Sequence, residues 1–324
     1  MSAARTPDRP AGVVLHIGLP KTGSTAVQNW GRANRRALAA DGVFVLPAVM
    51  EAHRLAVECI DDEKRLQSQD VANIRALPFA AASEALLAGL KGAGVRSACV
   101  SSEYFYLAEP GRVAELFAGL GVPVARVLCF VRRQDDLMAS GYNQDVKGMG
   151  SSRPFVAPGY RRGYDWCALR DDWQAAFPAA HIVLHNFDFH RARATLVDVY
   201  ARAIGAGSVH AAPKADTTNE SLGAELLEIV RVANAEGLPQ LARLAVEAQQ
   251  GGLGGTPFAF AAPLRRAILE AYAESNARLA ADDPDGEFAD FASVGGAREG
   301  IDLTGIFPER FALRFMAWLG ERRG

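Results

Sequence analysis

A chain of 324 residues, 49% of them hydrophobic, carries enough apolar side chain for a large core. Its formal net charge of −2 gives no global excess that would draw nucleic acid, so any anion site must be a local basic cluster. The four cysteines, Cys59, Cys99, Cys129 and Cys167, are far apart with no C-x-x-C pair, and the six histidines include no H-E-x-x-H, so no metal site is expected.

Cys99 and Cys129 sit in apolar runs and read as buried thiols of a reducing compartment. No stretch approaches the ~20 apolar residues of a membrane span, and the chain reads as soluble and cytoplasmic. In chain order, residues 1–12 read as a disordered leader. "VVLHI" (13–17) is a strand, and 24–40 a helix. Helical patterns follow at about 80–91 and 111–119, with strands at 97–102 ("SACVSS") and 125–131 ("ARVLCFV"). A helix is expected over 134–146, another over 168–177 and a fourth strand over 181–187. The strands lack polar/apolar alternation, which fits a parallel sheet covered on both faces by crossover helices.

After about residue 190 helical patterns dominate, at 221–236, 264–280 and 309–319. Residues 148–163, 250–263 and 282–305 read as loops or lids. The expectation is one domain over 13–324, with 206–324 mainly helical.

Between the first strand and the first helix stands "GLPKTGST". A turn at that place presents successive backbone N–H groups at a helix start of partial positive charge. Lys21 adds a point charge, and Thr22, Ser24 and Thr25 add hydroxyl donors around Gly23. This suffices for a diphosphate-like or phosphosulfate group. The order is not that of a Walker loop, whose lysine follows the last glycine; here Lys21 precedes Gly23. The plainer reading is a helix cap from Ser24 or Thr25 with Lys21 on the surface.

A second constellation is "CFVRRQDDLMASGYNQ" (129–144). Arg132 ends a buried strand, where open α/β sheets bind ligands, and Ser140 follows two helical turns later. A planar guanidinium and a hydroxyl suit one phosphate. The plainer reading pairs Arg132 or Arg133 with Asp135 or Asp136.

Together the two motifs resemble the sulfotransferase superfamily. "PKTGST" matches its P-K-[ST]-G-[ST]-[ST] signature at six positions, and Arg132, Asp136 and Ser140 stand in register with its second. "VSSEYF" (100–105), residues 164–205 and "NESLGAELLEIVRVAN" (219–234) look like the bacterial branch. The resemblance covers most of 13–236. It implies a three-layer α/β sandwich with a central parallel sheet and a helical C-terminal part. It implies 3′-phosphoadenosine 5′-phosphosulfate (PAPS) as donor and adenosine 3′,5′-bisphosphate as product. Lys21, Thr22, Gly23, Ser24 and Thr25 would bind the 5′-phosphosulfate, and Arg132 and Ser140 the 3′-phosphate. Transfer would be direct and in line, to a hydroxyl or amine, without metal or covalent intermediate. The Arg-Lys-Gly lid of many cytosolic relatives is absent; Lys214, Arg161 and Arg162 are its possible substitutes.

Lys21 then stabilises the bridging oxygen that the sulfuryl group leaves. Glu103, at the end of the 97–102 strand, is the candidate general base if burial raises its pKa; a salt-bridged or solvent-facing glutamate is the alternative. His16 is the rival base, although its place inside a strand suits a core histidine. The 148–163 loop and its flanks set Lys147, Arg153, Arg161 and Arg162 among Phe155, Tyr160, Tyr164 and Trp166, a composition for a sugar or anionic acceptor or for a solvated loop. Two other functions stay open. A nucleotide kinase or NTPase would need Mg²⁺ and a Walker lysine, and a non-catalytic nucleotide-binding protein would not need both Lys21 and Glu103 facing its ligand. The acceptor class (carbohydrate, glycolipid or small molecule) and the oligomeric state are not legible.

Overall fold

The computed structural model describes residues 12–61, 69–206, 221–253, 255–291, 314–316 and 318. Residues 1–11 of the expected leader, Lys214 and seven of the eleven residues of the expected 309–319 helix lie outside them, whereas Gly12, expected in the leader, opens the first strand. In chain order the elements begin with β1 (Gly12–Ile17), α1 (Ser24–Ala33), α2 (Arg35–Ala40), β2 (Val43–Val45) and α3 (Val49–Glu58). Next come α4 (Gln69–Arg75), α5 (Phe79–Leu90), β3 (Ser97–Ser102), a 3-10 turn (Glu103–Leu107), α6 (Pro110–Gly119) and β4 (Val124–Val131). Then follow α7 (Gln134–Met149), α8 (Trp166–Ala176), β5 (His181–Asn186), α9 (Phe187–Ala192) and α10 (Leu196–Ala203). Last are α11 (Ala224–Ala235), α12 (Pro239–Gln250), α13 (Ala262–Glu270) and α14 (Ala273–Ala281).

The chain divides into two compact units. The first comprises Met1–Arg132 and Trp166–Ala215, the second Arg133–Asp165 and Asp216–Gly324. The first unit holds a five-stranded sheet in the order β2-β3-β1-β4-β5, every pairing parallel. This is the α/β architecture expected from the apolar strand runs. The sheet has helices on both faces because its strands are apolar on both. On one face Val14, Cys99, Leu128 and Phe130 pack with Val27 and Trp30 of α1 and Tyr200 of α10. On the other, α3 and α5 pack against β3, and α8 against β5. Buried strands of this kind read as continuous apolar runs, which made four of the five legible.

Several details depart from the sequence reading: β2 and α12 form where no element was expected, and the expected 264–280 helix breaks at Ala271–Tyr272 into α13 and α14. The expected 24–40 helix breaks at Asn34, whose side-chain amide donates to the Trp30 carbonyl at 2.9 Å. α3 and α4, for which the sequence reading had no helix, also form.

The second unit is helical. Tyr142 and Val146 of α7 pack with Leu226, Leu227 and Val230 of α11, and with Ala245, Phe260 and Ile268. At the start of α7, Asp135 is buried between two arginines. Arg133 Nε and Nη2 donate to its two oxygens at 2.8 and 3.1 Å, and Arg265 Nε donates at 2.6 Å. Gln134 and Asn276 exchange amide hydrogen bonds at 3.0 Å each way. Burying that many charges is tolerable only because every partner is in place.

Candidate active site

β1 lies at the centre of the sheet with β3 on one side and β4 on the other. Connections leave in opposite directions there, and the C-terminal strand ends around such a point are where open α/β sheets hold ligands. The chain leaving β1 turns at once. Gly18 N–H donates to the Ser102 carbonyl at 3.2 Å. A Cβ on Gly18 would lie 2.3 Å from Ser24 Oγ, so the first residue of the loop must be small.

The loop itself is knitted from inside. Thr22 is fully buried, and its hydroxyl donates to the Leu19 carbonyl at 2.8 Å. The Ser24 hydroxyl donates to the same carbonyl at 3.3 Å. These two hydroxyls thus shape the loop. Lys21 is half-buried and Thr25 exposed.

Gly23, with φ +81°, is the residue that caps α1, and no side chain caps the helix. A Cβ there would meet Phe187 and Leu196 at 2.8 Å, so both conformation and space require glycine. With no capping side chain and no acid in its first turn, α1 opens on bare amides and partial positive charge. Lys21 has φ +65°. A left-handed lysine is uncommon, and such strain gathers at ligand sites.

Glu103 opens the turn that follows β3. It is half-buried, and burial pushes its carboxyl above the usual 4.5; the Lys21 charge opposes the rise and Asp70 adds to it. The structure therefore brings Lys21 and Glu103 close enough to feel each other's charge. It adds two groups that sequence reasoning missed. His53 Nδ1 lies 2.8 Å from Ser102 Oγ, and its ring meets the Tyr104 ring edge-on at 5.0 Å. Asp70, exposed on α4, acts on both Glu103 and Tyr104.

His16 is wholly buried, with Nδ1 2.7 Å from Ser101 Oγ. Its ring packs edge-on to Phe130 and Tyr200, and burial lowers its pKa to about 3. It is a neutral histidine in the core.

Arg132 directly follows β4, with its side chain buried. Its Nε donates to Asp188 Oδ2 at 2.6 Å, and its carbonyl accepts from Trp166 Nε1 at 3.0 Å. Its guanidinium stands 5.7 Å from the centre of the Phe187 ring. Phe187 is also the ring against Gly23, so one aromatic side chain touches both the loop and Arg132. The local pairing with Asp135 and Asp136 belongs to Arg133.

Ser140 is half-buried on α7, in the second unit. In that unit Arg153, Arg161 and Arg162 are exposed, and burial lowers the Lys147 pKa. Of the loop's aromatic side chains, Tyr160 is exposed and donates to Asp165 at 2.9 Å. Phe155 is stacked on Phe260 at 4.1 Å. Trp166 is buried in the first unit.

No protein-family profile matches the chain. Over 91 residues, 28% of the chain, it is 31% identical to an uncharacterized protein of Archaeoglobus fulgidus. The match spans about a quarter, 24%, of that protein's length. Among solved structures, a sulfotransferase from Alicyclobacillus acidocaldarius is similar over 72% of this chain and 96% of its own, with 16% identity and a TM-score of 0.38. Among the described residues no single helix is long and apolar enough to cross a membrane.

Proposed function

We propose that the chain is a sulfotransferase that moves a sulfuryl group from PAPS to a hydroxyl or amine of a carbohydrate, glycolipid or small-molecule acceptor. The observation that carries the reading is the placement of Glu103, directly after β3, within electrostatic reach of Lys21 in the loop after β1, beside a helix start that carries no capping side chain. The match of "PKTGST" to the sulfotransferase signature supports the same chemistry.

In this reading the backbone N–H groups of Thr22, Gly23, Ser24 and Thr25 and of the first turn of α1, with the exposed Thr25 hydroxyl, hold the 5′-phosphosulfate, while the Thr22 and Ser24 hydroxyls stay on the Leu19 carbonyl and shape the loop. Arg132 and Ser140 hold the 3′-phosphate, and Asp188 orients the Arg132 fork. Glu103 takes the acceptor proton as the acceptor oxygen or nitrogen bonds to sulfur. The bond between sulfur and the bridging oxygen breaks in line, and that oxygen departs on the 5′-phosphate of adenosine 3′,5′-bisphosphate. Lys21 neutralises the charge that develops there. Catalysis is then positioning and charge stabilisation, as in phosphoryl transfer. A cytoplasmic setting suits the four cysteines, all buried.

The test is incubation with PAPS and a panel of hydroxyl and amine acceptors in EDTA. The reading expects acceptor-dependent formation of adenosine 3′,5′-bisphosphate. Inertness to PAPS, with Mg²⁺-dependent phosphate transfer from ATP, would establish the kinase alternative in its place.

A further inference from the structure

Glu103 is held in place from a helix far upstream in the chain. β3 ends on two serines whose side chains point to opposite faces of the sheet. Ser101 Oγ meets His16 Nδ1 at 2.7 Å on the α1 side and accepts from Gln28 Nε2 at 3.3 Å. Ser102 Oγ meets His53 Nδ1 at 2.8 Å on the α3 side and accepts the Tyr104 N–H at 3.1 Å. Ser102 is therefore the cap of the 3-10 turn whose first residue is Glu103. His53, 8% exposed, reaches this cap from 49 residues away. The same imidazole packs edge-on to Tyr104. The residues before and after Glu103 are thus both held by one side chain.

We propose that His53 is a positioning residue for Glu103: through Ser102 it fixes the turn that keeps the Glu103 carboxyl half-buried beside Lys21. Its consequence for turnover rests on the sulfotransferase reading; its consequence for the carboxyl does not. The hydrogen bonds are consistent with a neutral imidazole. Ser102 Oγ accepts the Tyr104 N–H on one lone pair, and its hydroxyl proton is available to Nδ1 of an imidazole that carries its own proton on Nε2. Burial lowers the His53 pKa to about 4, so this arrangement holds at neutral pH. The charged and titratable groups acting on Glu103 are Lys21 from the loop, Asp70 from α4 and Tyr104 from its own turn. None is removed by changing His53. A looser turn would let water reach the carboxyl and cancel the burial that raises its pKa.

The experiment is a carbon-13 NMR titration of the Glu103 carboxyl in the full chain without ligand, assigned with Glu103→Gln. In the parent protein the carboxyl should titrate above the ordinary 4.5. His53→Ala and Ser102→Ala should each move it measurably back towards 4.5, and together no further than either alone. His53→Asn, whose amide oxygen can accept the Ser102 hydroxyl, should keep the raised value. Val57→Ala, a buried change on the same helix, should lower the melting temperature and leave the titration in place. A Glu103 titration unmoved by His53→Ala, or moved equally by Val57→Ala, overturns the inference. If His53→Ala does not fold, Ser102→Ala against His53→Asn decides the same point. Because no nucleotide is present, loss of the sulfotransferase reading would leave this result standing, and the reverse holds too. Where turnover is measurable, His53→Ala should lower kcat and leave the KM for PAPS in place.

Discussion

The backbone N–H of Gly18 donates to the carbonyl of Ser102 at 3.2 Å. That bond ties the first residue of the loop after β1 to the last residue of β3, and Glu103 follows directly. A lysine and a glutamate 82 positions apart in the sequence thereby belong to one small site. Their proximity comes from the parallel register of β1 and β3, which pairs His16 with Ser101 and Ile17 with Ser102.

Lys21 is held in a left-handed conformation at φ +65°. Glycine adopts that conformation without the Cβ clash, so Lys21→Gly should raise stability by up to about 1 kcal/mol. It should also weaken bisphosphate binding and nearly abolish turnover. Thermal melts beside calorimetric titration check this. A Lys21→Gly protein that is less stable than the parent would mean the lysine serves the fold and not a ligand.

Glu103→Gln should leave bisphosphate binding intact and cut turnover by ~10²–10⁴-fold, the span of a lost general base. Its effect on stability follows from the sign of the pKa change. The folded value is raised above the ordinary 4.5, so the Glu103 contribution is fully present below 4.5 and is lost as pH rises through the folded value. At neutral pH the ionised carboxyl therefore costs stability. Glu103→Gln should melt higher than the parent at pH 7–8, with the difference shrinking towards pH 4. A lower melting temperature at pH 7 contradicts this.

Arg132→Ala should weaken adenosine 3′,5′-bisphosphate by an order of magnitude or more, since charged hydrogen bonds contribute ~1.5–3 kcal/mol. Adenosine 5′-phosphosulfate, which lacks the 3′-phosphate, should scarcely respond. Asp188→Asn, which loosens the partner of Arg132 Nε, should follow the same pattern more weakly, as should Ser140→Ala. Equal losses for both ligands would remove the 3′-phosphate assignment.

His16 and His53 should contribute to the loss of stability in acid. Their pKa values fall from 6.5 to about 3 and about 4 because burial penalises the imidazolium. A depressed folded value means stability is complete above 6.5 and is lost as pH falls towards those values. Each such histidine contributes a slope approaching about 1.4 kcal/mol per pH unit in that window. Replacing the fully buried one, His16→Leu, should flatten the loss between pH 6 and 4. An unchanged slope would mean that other groups govern acid unfolding.

Much of the first unit was readable because its strands are apolar on both faces. Val13–Ile17 and Val127–Val131 have no polar residue but His16. β2 escaped because Val43–Val45 is only three residues long. α3 escaped because it buries His53 and Arg54, polar residues that break the expected stripe. Arg54 is accommodated by donating to the Leu77 carbonyl at 2.7 Å and to Glu58 at 2.8 Å, partners no local pattern announces. The hydroxyls of "PKTGST" pointed to an anion loop, but two of them, on Thr22 and Ser24, turn inward to Leu19. The partner of Arg132 was illegible for a similar reason. Asp188 lies 56 residues away, while Asp135 and Asp136, close at hand, belong to Arg133.

The most direct test of the central claim is the melting temperature of the parent protein with adenosine 3′,5′-bisphosphate and, separately, with ATP. A ligand that binds the native state at a hundred times its Kd adds about 2.7 kcal/mol, and the melt shifts accordingly. The account predicts a clear, saturable upward shift with the bisphosphate in EDTA, much less with ATP, and loss of the shift in Arg132→Ala. Equal stabilisation by ATP, or none by the bisphosphate, would contradict it.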